Sequence, residues 1–156
     1  MTFKVFISSS VRDMQIVREL KEILERYGII PVLPSEVILP MPIARVINQQ
    51  IQTSDCVLVI VGRGGERSET VNFELGVATA LNKPVIPIVE EGSEIPENLI
   101  NKEYILMDRN RPKLSYERAA QYLSRLKVEK ETRNAIGGLL LLGLGLLLLS
   151  ALASSD

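Results

Sequence analysis

One carboxylate stands inside an otherwise apolar stretch: Glu74 in "TVNFELGVATALNKPVIPI", Thr70 to Ile88. A charge at that place is either a helix-start carboxylate facing water, favoured by the helix dipole, or a catalytic acid. Phe73, Leu75 and Val77 make its neighbourhood apolar, which favours the second reading. A second candidate is the hydroxyl run Ser8-Ser9-Ser10, which closes the apolar segment "FKVFI". Such serines cap helices. With a helix N-terminus behind them they equally suit a phosphate or a ribose.

What is missing narrows the chemistry further. The chain has no histidine, which removes His-dependent triads, imidazole proton shuttles and His metal sites. No metal centre is expected. The single cysteine, Cys56, has no partner for an internal disulfide and no imidazole to activate it. It opens an apolar strand and reads as a small hydrophobe. Any reaction must therefore run on carboxylates, hydroxyls and backbone groups. The glycine-rich "GRGGERS" fits no phosphate-binding loop, because the lysine of a P-loop is absent. A dinucleotide fingerprint starting at Gly62 would need glycine where Arg67 stands. It is read as a flexible loop.

Those candidates need a scaffold, and 156 residues suffice for one domain with a real core. Formal net charge is −1, Lys and Arg are dispersed, and tryptophan is absent. Nucleic acid is therefore not expected as a partner. Strand-like runs occur at Phe3–Ile7, Ile29–Leu33, Asp55–Val61, Pro84–Val89 and Tyr104–Met107. Pro31 puts the second of them at a sheet edge. Between the strands, apolar residues recur at helical spacing: Val17, Leu20, Leu24 and Tyr27, then Ile43, Val46, Ile47 and Ile51. A third helix is predicted over Val71–Leu81, and a last one from Ser115 with Tyr116, Ala119, Ala120, Leu123 and Leu126 inward. This alternation predicts a parallel sheet with helices on both faces. Ligands of such sheets bind at the carboxyl ends of the strands, where the serines and "GRGGERS" lie.

The start "MTFKVFISSS" lacks the apolar core of a signal peptide. The far end is different: "AIGGLLLLGLGLLLLSALA", Ala135 to Ala153, is 19 residues without a charge. That is close to the roughly 20 needed to span hydrocarbon as a helix, and it has no polar face. Arg118, Arg125, Lys127, Lys130 and Arg133 precede it, which orients the preceding domain to the cytoplasm. An oligomerisation helix and a low-complexity tail are the alternatives. The expected organisation is a domain over 1–127, a juxtamembrane linker over 128–134 and a single-pass tail anchor over 135–153.

The rim residues taken together resemble a known family. "VFISSSVRD" is similar to the opening box of Toll/interleukin-1 receptor (TIR) domains, with Phe6, Ile7, Ser8, Ser10 and Asp13 matching and Ser9 where tyrosine is usual. "IARVINQQIQTSDCVLVIVG" resembles the family's Ile-rich helix and the Ser-Asp before its next strand. "SETVNFEL" places Ser68 and Glu74 six residues apart, as in the family, but lacks its usual Trp-Cys pair. "NFELGVATALNKPVIPI" also resembles nucleoside 2-deoxyribosyltransferases. The similarity covers residues 3 to 127.

The fold this implies is α/β, a flavodoxin-like, doubly wound, parallel five-stranded sheet, followed here by one C-terminal transmembrane helix. The resemblance implies NAD+ as substrate rather than cofactor, with Glu74 catalytic and Ser8, Ser9, Ser10 and Ser68 lining the substrate site. It also implies self-association into homo-oligomers through TIR–TIR contacts. The loop Pro34–Met41 stands where the family's assembly loop does, and Val37, Ile38, Leu39 and Met41 would be its contact residues. A non-enzymatic TIR scaffold and a deoxyribosyltransferase-like enzyme remain as alternatives.

Overall fold

The computed structural model describes residues 2–34, 43–63 and 69–141. The chain divides into two compact units, Thr2–Gln121 and Tyr122–Asp156. In the first unit the order is β1 (Lys4–Ser8), α1 (Met14–Arg26), β2 (Ile30–Val32), α2 (Ile43–Gln52), β3 (Cys56–Val61), α3 (Glu69–Ala80), β4 (Val85–Glu90), β5 (Ile105–Met107) and the opening of α4 (Pro112–Leu141). Short 3-10 turns occupy Val11–Asp13 and Glu97–Leu99. The five strands form one sheet in the order β2-β1-β3-β4-β5, and every pairing is parallel. The sheet expected from the alternation of strands and helices is therefore present.

Strand alternation sorts the core into two layers. Phe6, Val57, Val59, Val61 and Val89 turn to one face and pack with Ile47 and Ile51 of α2 and Val71, Leu75 and Ala78 of α3. Val5, Ile7, Leu58, Ile60 and Ile88 are equally buried and point the other way. That opposite face belongs to α1 and α4, which are tied by the Tyr27 hydroxyl donating to Glu117 Oε2 at 2.6 Å. β3 is buried at all six positions, as a central strand covered on both sides must be.

Local chemistry sets the ends of these elements. Gly28, at φ 72°, closes α1, and the Ile29 N–H reaches back to the Leu24 carbonyl at 3.0 Å. Pro31 lies on the edge strand β2, as its missing N–H requires. Pro87 lies in an inner strand, at a point where β4 has not yet met β5, since their pairing begins at Ile88 and Ile105. The Ser54-Asp55 pair anchors the start of β3. Asp55 accepts from the Lys4 N–H at 2.8 Å and donates its own N–H to the Lys4 carbonyl at 2.7 Å. Ser54 Oγ donates to the Gln50 carbonyl at 2.6 Å.

Four sequence expectations shift. Ile43 opens α2 but is 73% exposed, so only Ile47 and Ile51 of its expected apolar face are buried. Helix α3 begins at Glu69, two residues before the expected start, and Glu74 therefore lies beyond the first turn. Phe73 is 44% exposed and contributes nothing to the core. Helix α4 begins at Pro112, a position that suits proline because the first helical N–H has no partner.

In the second unit α4 continues through 128–134, the expected linker, to Leu141. Within it the Arg125 guanidinium lies 5.7 Å from the Tyr122 ring centroid, a cation–π contact. Among the described residues no helix is long and apolar enough to cross a membrane. Residues 142–153 of the expected anchor lie outside the described residues, as do Val37, Ile38, Leu39 and Met41.

The carboxyl end of β3 has one tight steric constraint. A Cβ on Gly62 would come within 2.7 Å of Asp13 Cγ and 2.8 Å of Oδ2. Gly62→Ala is expected to destabilise the domain by about 1–3 kcal/mol through overpacking. Asp13→Ala removes the obstruction, so the same change should cost far less in that background. Urea unfolding of the two single variants and the double variant measures this coupling. Simple additivity of the two costs would show that the contact does not carry the constraint.

Candidate functional site

Helix α3 buries Val71, Glu74, Leu75 and Ala78, a stripe at positions i, i+3, i+4 and i+7. Glu74 thus occupies a core position of the helix and not its water-facing start. Its side chain is 0% exposed, and neither carboxyl oxygen has a hydrogen-bond partner. The reading of Glu74 as a solvated first-turn carboxylate therefore fails on position and on burial.

β1 supplies the group beside it. Phe6 and Ser8 share one face of the strand, paired with Val57 and Val59, and that face is covered by α3. Ser8 is also 0% exposed, and its Oγ lacks a hydrogen-bond partner. Burial pushes the Glu74 carboxyl from 4.5 up to about 7, and the nearby Ser8 hydroxyl pulls the other way. Desolvation prevails because no well-formed hydrogen bond joins the two groups. Three buried polar atoms thus converge without partners, which is costly in a core and characteristic of ligand sites.

The other serines separate. Ser10 caps the turn that leads into α1, its Oγ accepting from the Arg12 N–H at 3.3 Å. Ser9 is half-buried between them. Ser68 lies outside the described residues. The structure therefore brings Ser8 to Glu74, while the Ser10 hydroxyl serves the backbone.

Asp13 is the residue that sequence reasoning left out of the site. It is buried at the end of the Val11–Asp13 turn and packs against Gly62 at the carboxyl end of β3. Its signal was present in "FISSSVRD", where it follows Ser8 by five residues. Cys56 lies at the opposite, amino end of β3, and burial pushes its thiol up to about 12. It is a core side chain, without nucleophilic character at neutral pH. Among the described residues no cluster of three or more Cys, Asp and Glu could hold a metal ion.

The arrangement presents one buried carboxyl and one hydroxyl at the carboxyl ends of a parallel sheet. A carboxyl that titrates near neutrality in an apolar setting can supply either charge or a proton to a bound ligand.

Comparisons with known proteins agree with this geometry at the level of fold. The TIR domain of the Toll-related receptor TRR-2 from Hydra magnipapillata superposes with a TM-score of 0.65 at 20% identity, over 78% of this chain and 98% of that one. The CMP N-glycosidase BcmB from Clostridium botulinum gives 0.52 at 20% identity, over 80% and 98%. TIR domains of the activated Roq1 resistosome give 0.51 at 16%, over 80% and 84%. No curated protein is significantly similar in sequence. The profile of the TIR domain family, however, matches residues 5–134. The chain belongs to the TIR domain family.

Proposed function

We propose that the chain cleaves the bond between nicotinamide and ribose in NAD+, with Glu74 as the catalytic residue. The observation that carries this reading is the Glu74 carboxyl, fully buried, without a hydrogen-bond partner and beside the equally unpartnered Ser8 hydroxyl. As the C1′–N bond breaks, its electron pair leaves with the pyridinium nitrogen, which becomes neutral nicotinamide. Positive charge is left on the ribose, and a carboxylate at van der Waals distance stabilises or traps it. Water completes the reaction at C1′ and releases a proton. No general acid is needed for this leaving group, so a chain without histidine suffices.

A second reading draws on the same titration. A Glu74 that is substantially protonated at neutral pH can help an uncharged base depart, as hydrolysis of a nucleotide such as CMP requires. BcmB, similar in fold, is a CMP N-glycosidase. A deoxyribosyltransferase-like activity falls in the same class, and a scaffold without activity is the remaining alternative. Incubating the protein with NAD+, CMP and deoxynucleosides, then identifying the released base, separates these readings.

Self-association and membrane attachment complete the proposal. The segment 34–41 contains Val37, Ile38, Leu39 and Met41, and such a run of apolar residues would favour contact with a second surface if water reached it. A tail anchored in the membrane, with the domain on the cytoplasmic side, would raise the effective concentration of such contacts. The Roq1 TIR domains, similar in fold, belong to an assembly, a resistosome.

Glu74→Gln is expected to lower base release at least about a hundredfold, because it removes charge while keeping shape. Near-wild-type turnover by the folded variant would remove Glu74 from the mechanism. NAD+ cleavage needs the carboxylate, so kcat/KM should rise with pH through about 7. A bound pyridinium favours the charged form, so the corresponding limb in kcat should lie lower. Cleavage assisted by a protonated Glu74 would give the opposite slope.

Stability carries a matching signature. The folded state holds the Glu74 proton up to about 7 and the unfolded chain only to 4.5. Wild-type stability should therefore fall as pH rises between those values, by at most about 3 kcal/mol. Glu74→Gln should lack that component of the slope. Parallel slopes from denaturation at pH 5 and pH 8 would mean that Glu74 is charged in both states.

Full-length protein should partition into detergent or membrane, and residues 1–134 should remain in the aqueous phase. Specific activity on liposomes should rise with protein density, and Ile38→Glu should flatten that rise without unfolding the domain. Equal activity from dilute soluble monomer would mean that one chain completes the site.

A further inference from the structure

A second group of polar side chains lies on the same rim, across the ends of β3, β4 and β5. Arg63 follows β3, Gly92 and Ser93 follow β4, and Arg109 follows β5. Gly92, at φ +82°, has no side chain, and the space its Cβ would take is ringed by guanidinium nitrogens. From that point Arg63 Nη2 is at 3.4 Å, Arg109 Nη2 at 3.6 Å and Arg63 Nε at 3.8 Å. Beside them the Ser93 Oγ is buried without a hydrogen-bond partner.

The charges in this group do not cancel. Glu90 Oε1 pairs with Arg109 Nε at 3.3 Å, and Glu90 Oε2 accepts the Arg63 backbone N–H at 3.2 Å. Arg109 also donates from Nη2 to the Glu91 carbonyl at 3.2 Å. Arg109 is thereby fixed in place with its charge answered by Glu90. The Arg63 guanidinium makes no ion pair with any described residue, yet it shares the space over Gly92 with a second cation. Two guanidiniums that approach the same point over a glycine, one of them paired with Glu90, form a fork suited to an anion.

We propose that Arg63, Arg109 and Ser93 form a subsite for the phosphate groups of a nucleotide, bound at the carboxyl ends of β3 to β5. Adjacent strands are about 4.8 Å apart, which puts β4 roughly 10 Å from β1 and Ser8. A nucleotide with its C1′ at Glu74 would direct its 5′-phosphates along the rim toward this fork. This assignment rests on the glycosidic-cleavage reading for its orientation. It makes the substrate class nucleoside 5′-phosphates and diphosphates, and it disfavours free nucleosides. Arg63 contributes two nitrogens to the anion, Arg109 contributes one, and Ser93 offers a hydroxyl donor. Gly92 keeps the space open, and any larger residue would both fill it and strain the backbone.

Inorganic pyrophosphate tests the subsite without any turnover. Calorimetric titration of the full-length protein should show pyrophosphate binding that weakens with ionic strength. Arg63→Gln should reduce that affinity at least about tenfold, while Arg63→Lys retains part of it. Glu74→Gln, and Arg26→Gln at the exposed end of α1, should bind as wild type does. Arg63→Gln should also raise KM for a 5′-phosphorylated substrate about tenfold with little change in kcat, leaving KM for the corresponding nucleoside unaltered. Absence of pyrophosphate binding, affinity unchanged by Arg63→Gln, or an unchanged KM would each overturn the subsite. Pyrophosphate binding lost in Arg63→Gln, in a protein that releases no base from any substrate, would sustain the subsite and overturn the glycosidic reading instead.

Discussion

A carboxyl group at a core position of a helix, with no donor to hold it, is the constraint to which the rest of the domain adjusts. Taking an ionised carboxylate out of water costs several kcal/mol even after relaxation, and among the described residues Glu74 has only the nearby Ser8 hydroxyl to offset that cost, without a formed hydrogen bond. The folded chain avoids the full penalty by keeping the proton, which is what a titration near 7 means. Near neutral pH the group is thus divided between its protonated and charged forms. A cationic group bound beside it would draw out the proton and favour the charged form.

The sheet makes that position possible by burying everything around it. β3 is closed on both faces, and its two neighbours pair with it in parallel over four and five positions. Alternation along β1 then sends Ser8 toward α3 with no freedom to do otherwise. One residue earlier or later, the hydroxyl would face the opposite layer. Asp13 closes the gap between the turn after β1 and the end of β3, and Gly62 yields the space for it. The geometry of the rim follows from strand register and from one missing side chain.

Much of this was legible in the sequence. Alternating strand and helix signals, the edge proline Pro31 and the cap at Gly28 gave the sheet and its order of elements. The Ser-Asp before β3 matched a family box, and the structure shows its work is anchoring β3 to β1. Periodicity failed where tertiary position overrides composition. Ile43 looks like a core residue and is exposed because it opens its helix. Phe73 counts in sequence as an apolar neighbour of Glu74, but one position along α3 rotates it about 100° away. The three serines are alike in sequence, and only strand alternation and capping geometry assign Ser8 to the site and Ser10 to the backbone. Arg63 and Arg109 are 46 residues apart in sequence, and no spacing rule connects them; the parallel order of β3, β4 and β5 does.

A single carboxyl cannot by itself choose among substrates. The oxocarbenium character that Glu74 would meet on the proposed reading is common to every ribosyl compound with a departing base, so it would select a reaction and not a molecule. Selection must come from groups that touch parts of the ligand remote from the broken bond, and binding energy gathered there can be used to hold C1′ against the carboxylate. In this domain the groups available for that purpose lie on the rim, where β3, β4 and β5 end. The loop after β4 is acidic, with Glu90, Glu91, Glu94 and Glu97 in eight residues, and would repel a phosphorylated ligand if its charges were unanswered. Glu90 is the one that points among the arginines, and it is taken up by Arg109 and the Arg63 backbone. Glu90 thus fixes Arg109 in place, and the Arg63 guanidinium is left without an ion pair among the described residues. On the proposed reading, Glu74 of α3 and Ser8 of β1 would serve the bond that breaks, and the groups that hold the rest of the ligand would sit at the ends of other strands of the same sheet.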